Sequence, residues 1–154
     1  LKDKLGYTKD RCLKELHIHA IAIGVGVAEH QEIDEIGIGE ATRRAIGRAI
    51  EDLVPAPDYV LADYVPLLRT DVPHQTLKGG DGLCYSIAAG SIVAKVTRDT
   101  MLERADSEHP GYGFARHKGY ATRLHLAELA RRGPSPIHRR SFSPLRQNGM
   151  KALL

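Results

Sequence analysis

Residues 78–99, KGGDGLCYSIAAGSIVAKVTRD, set Asp81 between two glycines, just ahead of a helix whose opening turns carry little bulk. The spacing predicts that helix over about 85–107, and Ser86, Ala88, Ala89, Gly90, Ser91 and Ala94 would let another backbone approach closely. A solubilising charge needs no such setting. A carboxylate that holds a cation does.

Working outward, a short strand is expected near 75–78. Before it, VPAPDYVLADYVPLL reads as a proline-marked loop leading into a strand over 59–62, whose C-terminal end carries Asp63. Ligands of α/β sheets gather at the C-terminal ends of strands. If Asp63 and Asp81 converge to about 4 Å, their repulsion is roughly 4 kcal/mol at an effective dielectric near 20. Such a pair is stable when protonated or bound to a cation, and oxygen donors without a cysteine–histidine set indicate Mg²⁺ or Mn²⁺. A strand-end carboxylate also serves as a cap or turn former, and spacing alone leaves both readings open.

Nearer the start, YTKDRCLKEL predicts a short helix over 7–16 with Thr8 as N-cap. HIHAIAIGVGVA alternates and is rich in Ile and Val, so a buried strand is expected over 17–27. EHQEIDEIGIGEATRRAIGRAIEDL predicts a turn of helix followed by a longer one, with Ala41, Ala45, Ile46, Ala49, Ile50 and Leu53 on one stripe. Toward the other end, EHPGYGFARHKGY is a loop. ATRLHLAELARRG is an amphipathic helix, expected to turn Leu124, Ala127, Leu129 and Ala130 inward and to stop at Gly133. PSPIHRRSFSP is a proline-stiffened basic segment. Strands alternating with helices argue an α/β fold.

The 154 residues suffice for one packed core. AIAIGVGVA, the longest apolar run, falls far short of the ~20 residues that cross a bilayer, and no leader pattern opens the chain. Cys12 and Cys84 lack zinc spacing and are expected to be reduced thiols of a cytoplasmic protein. The net charge of +3 is unevenly spread. Residues 30–63 hold eight acids and three arginines, whereas residues 111–140 hold Arg116, Lys118, Arg123, Arg131, Arg132, Arg139 and Arg140 against Glu128 alone. A polyanion held by one part and a cation by the other would produce this division, as would two solvated faces.

Other chemistries find little support. The glycine doublets in GVGVA and GIGEA do not complete a dinucleotide fingerprint, and there is no Walker sequence or nucleophile elbow. His17 and His19 would share a strand face without a third ligand, and His109, His117, His125 and His138 have no zinc-protease spacing. Tyr120, in a basic loop, can stack on a base or sugar while Lys118 and Arg139 hold phosphates, or can simply pack its ring. Arg139 and Arg140 can meet phosphate or bridge to the acidic middle.

Three stretches in order, SIAAGSIVAKVTRD (86–99), PGYGFARHKGYAT (110–122) and GPSPIHRRSFSP (133–144), resemble ribonuclease HII, the bacterial type 2 ribonuclease H. EIDEIGIGEAT (32–42) and the strand ending in Asp63 fit the same pattern. The resemblance implies a ribonuclease H-like mixed sheet flanked by helices, with residues 1–110 catalytic and 111–154 a basic helical extension that binds substrate. It implies a monomeric endonuclease, free of membrane, that hydrolyses RNA in RNA–DNA hybrids. It also implies nicking at ribonucleotides embedded in duplex DNA, leaving 5′-phosphate and 3′-hydroxyl ends. Two divalent ions, Mg²⁺ or Mn²⁺, would sit on four carboxylates. Asp63 matches the third and Asp81 the fourth, and Tyr120 matches the tyrosine that stacks at the RNA–DNA junction.

Two departures stand out. The Asp-Glu-x-Gly-Arg-Gly strand that opens the family pattern and supplies the first two carboxylates is not in this sequence; LKDKLGYTKDR resembles the later Asp-Ser-Lys segment. Tyr64 stands where the family has glycine after its third aspartate. The expectation is a ribonuclease whose full site needs residues beyond these 154. The competing expectations are a catalytically incomplete nucleic-acid-binding homologue or fragment, and an unrelated α/β enzyme for a small phosphorylated substrate.

Overall fold

The computed structural model describes residues 8–65 and 70–146. They form two compact units: residues 8–28 with the described part of Gly39–Val96, and Glu29–Ile38 with residues 97–146.

In the first unit, helix α1 spans Lys9–His19, and the Thr8 side chain accepts a hydrogen bond from the Arg11 N–H at 3.3 Å, as an N-cap should. The helix runs past its expected end. His17 Nδ1 lies 2.8 Å from the Leu13 carbonyl, His19 Nε2 lies 3.5 Å from Glu15, and the Ala20 N–H closes on the Leu16 carbonyl at 2.8 Å. Once a helix exists, each further residue gains a local hydrogen bond, whereas a strand needs a partner. The strand expected over 17–27 is therefore corrected: its first three residues are helical, and residues 20–28 form no ladder.

Residues 20–28 instead lie against helix α2 (His30–Glu51). The Val25 N–H donates to Asp52 Oδ2 at 3.0 Å, and Arg48 Nη1 donates to the Val27 carbonyl at 2.6 Å. A Cβ on Gly24 or Gly26 would run into the carbonyl oxygens of Ala49 and Ala45. The glycines thus permit a backbone-on-helix contact that takes the place of sheet pairing. Helix α2 breaks at Gly37, whose φ of 78° and ψ of 156° interrupt the helix between its short first part and its longer second. Ala41, on the expected stripe, is fully buried.

Strands β1 (Val60–Asp63) and β2 (His74–Leu77) pair in parallel, with Val60 opposite His74 and Asp63 opposite Leu77. Among the described residues these two strands are the whole sheet, smaller than the mixed sheet expected. One-turn helix α3 (Gly80–Leu83) follows β2 and leads into helix α4 (Tyr85–Glu108), where Ile87 and Ala88 are buried. No helix among the described residues is long and apolar enough to cross a membrane, and Cys12 and Cys84 are both free.

The second unit holds the end of α4, one-turn helix α5 (Phe114–His117) and helix α6 (Arg123–Arg132). Thr122 caps α6 by accepting from the His125 N–H at 3.2 Å, and the chain leaves it at Gly133 as expected. Its inward face differs from expectation. His125 and Leu129 are buried, whereas Leu124, Ala127 and Ala130 are exposed. The core here is aromatic: Phe114 stacks on Tyr112 at 5.4 Å and meets His117, His125 and His138, so an imidazole takes the position expected of an aliphatic side chain.

Candidate active site and nucleic-acid contacts

Asp63 ends β1 and is partly buried, and its Oδ1 accepts a hydrogen bond from the Gly80 N–H at 3.0 Å. Gly80 opens α3, and Asp81, exposed, is the next residue. The approach depends on glycine at position 80. A Cβ there would lie 2.6 Å from Ile87 Cδ1 and 3.3 Å from Leu77 Cβ. Gly79 before it takes a left-handed conformation, φ 69° and ψ 33°, that reverses the chain out of β2. Tyr64 follows Asp63 with φ 53°, and its N–H donates to the Leu77 carbonyl at 3.0 Å.

The donor set consists of hard oxygens, which suits Mg²⁺ or Mn²⁺ better than a soft metal. It is also small. Among the described residues no group of three or more His, Cys, Asp or Glu side chains is arranged to hold a metal ion. Mg²⁺ is commonly held by one or two carboxylates completed by substrate phosphate and water, and the Gly80 hydrogen bond brings the residue preceding Asp81 to Asp63.

The basic residues singled out from the sequence lie in the second unit. Tyr120 is 62% exposed, and the Arg98 guanidinium lies 5.8 Å from its ring centroid. Lys118 takes a left-handed conformation, φ 50° and ψ 36°; its Nζ pairs with Glu103, and its carbonyl accepts from Arg98 Nη1 at 2.6 Å. Arg139 lies over the Phe142 ring at 3.8 Å, and burial lowers its pKa. The bridge from this segment to the acidic middle is made by two backbone N–H groups and a hydroxyl. Asp34 accepts from the Arg140 N–H at 2.7 Å, the Ser141 N–H at 2.9 Å and the Ser141 hydroxyl. Desolvation would raise the Asp34 pKa, but the Ser141 hydroxyl and the two N–H groups outweigh it and hold the carboxyl below its ordinary value.

Asp34 was not singled out in the sequence, where it is one acid among many. Its signal was its place in EIDEIGIGEAT, part of the pattern that carried the resemblance. The histidine cluster was likewise missed, because its members are separated along the chain and converge only on folding.

Comparison with known proteins gives the class first. The chain matches the crystal structure of the ribonuclease H2 from Pyrococcus horikoshii OT3 with a TM-score of 0.75, covering 99% of this chain and 81% of that one. At 19% identity this establishes the fold, that of a type 2 ribonuclease H. The family model for ribonuclease HII matches residues 4–144, and the chain belongs to that family. It is 48% identical over 99 residues to ribonuclease HII of Dehalococcoides mccartyi, covering 64% of this chain and 47% of the relative. To ribonuclease HII of Geobacter sulfurreducens it is 52% identical over 99 residues, covering 64% and 46%. The chain spans about half the length of the curated relatives it matches.

Proposed function

We propose that this chain carries part of the active site and the substrate-binding segment of a metal-dependent endonuclease. Its substrates are RNA–DNA hybrids and duplex DNA containing single ribonucleotides. The supporting observation is the Asp63–Gly80 hydrogen bond, which ties the end of β1 to the short helix bearing Asp81 in a member of the ribonuclease HII family. Asp63, oriented through one oxygen by the Gly80 N–H, offers its other oxygen to a cation, and Asp81 supplies a second carboxylate. Bound Mg²⁺ or Mn²⁺ would activate a water and stabilise the leaving 3′-oxygen. The exposed Tyr120 ring stacks at the junction between ribo- and deoxyribonucleotide. Lys118, exchanging Glu103 for phosphate, and Arg139 hold the backbone.

The expected outcome, in protein that also carries the family's opening carboxylate strand, is Mg²⁺- or Mn²⁺-dependent nicking, abolished by EDTA, of a DNA duplex containing one ribonucleotide. Asp63→Asn and Asp81→Asn should each slow it on the order of a hundredfold or more, at least the effect of disturbing a residue that supports a metal ligand. Undiminished nicking in either variant would remove that residue from the site. A second reading, a binding protein that does not cut, is favoured by the lack of a three-ligand cluster among the described residues. Its signature is salt-sensitive binding to the same duplex, without product.

A further inference from the structure

Beneath the Tyr120 loop, His117, His125 and His138 pack as a cluster. The His117 and His125 rings stack at 4.1 Å and 9°, and the His125 and His138 ring centroids lie 5.3 Å apart. His117 and His125 are buried, as is Ser135. Their partners settle where each proton sits, because a peptide carbonyl can only accept and a peptide N–H can only donate. His117 Nε2 faces the Tyr112 carbonyl at 2.9 Å and carries its hydrogen, while its Nδ1 accepts from the Gly119 N–H at 3.1 Å. His125 Nδ1 faces the Tyr120 carbonyl at 2.9 Å and carries its hydrogen there. His138 Nδ1 accepts from the Ser135 N–H at 3.0 Å and from the Ser135 hydroxyl at 2.7 Å. Its Nε2 therefore bears the hydrogen and donates to His125 Nε2 at 3.1 Å.

Three rings hold three protons, and every ring nitrogen has a partner of the right kind. A fourth proton would have to point at the Gly119 N–H, the Ser135 N–H or the His138 Nε2–H. The chain of donation ends at Tyr120. The Tyr120 carbonyl receives His125 Nδ1–H, and the Tyr120 N–H donates to the His117 carbonyl at 2.9 Å. The backbone of the exposed ring is thus held on one side by the His125 imidazole and on the other by the main-chain carbonyl of His117, whose ring stacks on His125.

We propose that His117, His125 and His138 are positioning residues, an all-neutral imidazole relay that sets the Tyr120 peptide and thereby its contact with the RNA–DNA junction. The proposal rests on the reading of Tyr120 given above. The surroundings favour neutrality. Burial lowers the His125 pKa against the Tyr120 carbonyl, and burial, with the repulsion that a proton on His125, His117 or His109 would bring, lowers that of His138 to about 4. His109 follows directly on α4. From α4, Arg98 lies over Tyr120 and Glu103 engages Lys118. On the far side, the Tyr112 hydroxyl donates to the Gly133 carbonyl.

The test compares two amides of equal chemistry. Asparagine at position 125 places its N–H where Nδ1 stood, whereas glutamine reaches to the Nε2 position. Binding is measured by anisotropy in EDTA, on a duplex with one ribonucleotide and on the same duplex in DNA alone. His125→Gln should lose about fivefold of the preference for the ribonucleotide, the worth of one hydrogen bond, with all-DNA binding unchanged. His125→Asn should recover most of it. Imidazole ¹⁵N shifts of the unsubstituted chain at pH 7 should show neutral rings protonated at Nε2, Nδ1 and Nε2 for residues 117, 125 and 138. Equal preference in the two variants, or a His125 protonated on Nε2, overturns the relay. Tyr120→Ala separates the two claims. If it keeps the full preference, the junction reading fails and takes the relay's role there with it. If it loses the preference while His125→Gln does not, the relay alone fails.

Discussion

At position 64 a tyrosine occupies left-handed backbone, φ 53°, immediately after Asp63. For a residue with a Cβ that conformation costs roughly 1–2 kcal/mol, whereas glycine adopts it freely but loses about 0.5–1 kcal/mol of chain entropy on folding. The ring is 70% exposed, so little burial is forfeited by removing it. Tyr64→Gly should therefore raise stability by about 0.5–1 kcal/mol, read as a higher urea midpoint at unchanged slope. A lower midpoint would show that the ring packs more than its exposure indicates. Asp63 and Asp81 were legible as candidates because a strand end and a glycine-flanked turn are local signals. Asp34 was not, since its partners Arg140 and Ser141 lie 106 and 107 residues along the chain.

At the level of elements, caps and periodicity carried most of the reading: Thr8 and Gly133 bound their helices where the sequence placed them. The alternation over residues 17–27 pointed to a strand that does not form. It could not indicate that the backbone polar groups would be met by Arg48 of a helix and by Asp52 just past its end instead of by a strand. Asp34, the tether of the 140–141 turn, gives a test at this scale. Asp34→Ala should cost about 1 kcal/mol at pH 7, measured by urea denaturation, since it removes hydrogen bonds from a largely solvated site. Its pH signature has a definite sign. A carboxyl whose pKa is lowered by folding stabilises above its unfolded value near 3.9, and that contribution fades as pH falls below it. His138 acts in a separate window. Its pKa falls from 6.5 to about 4 on folding, so its contribution is complete above 6.5 and declines as pH drops toward 4. Asp34→Ala should narrow the lower window, leaving there the share of Glu128, whose carboxyl Arg132 and Arg131 also hold low, and should leave the upper window in place; loss of the upper window too would mean that the tether and the imidazoles unfold together.

Over the whole molecule, the buried apolar set is small. Ala41, Ala62, Ile87, Ala88, Ala105, Phe114 and Leu129 are buried among the described residues, while Ile21 is 89% and Tyr85 86% exposed. Stability scales with apolar area removed from water, and the denaturant slope with the area exposed on unfolding. The 154-residue chain by itself should unfold along a shallow urea curve, with m near or below about 1.5 kcal/mol/M, and should bind a hydrophobic dye before it unfolds. A steep single transition without dye binding would contradict this picture.

Helix caps, hydrophobic periodicity and the family pattern all reside in short runs of residues, and these alone sufficed for the type of most elements and for the ribonuclease HII assignment. Whether an extended segment joins a sheet or lies on a helix could be settled only by folding, as could which carboxylate anchors a distant turn and which tautomer a buried histidine adopts. The first two depend on a hydrogen-bonding partner far away in the chain, and the tautomer depends on how a folded loop turns nearby peptide groups toward the ring; no local propensity specifies which partner will arrive.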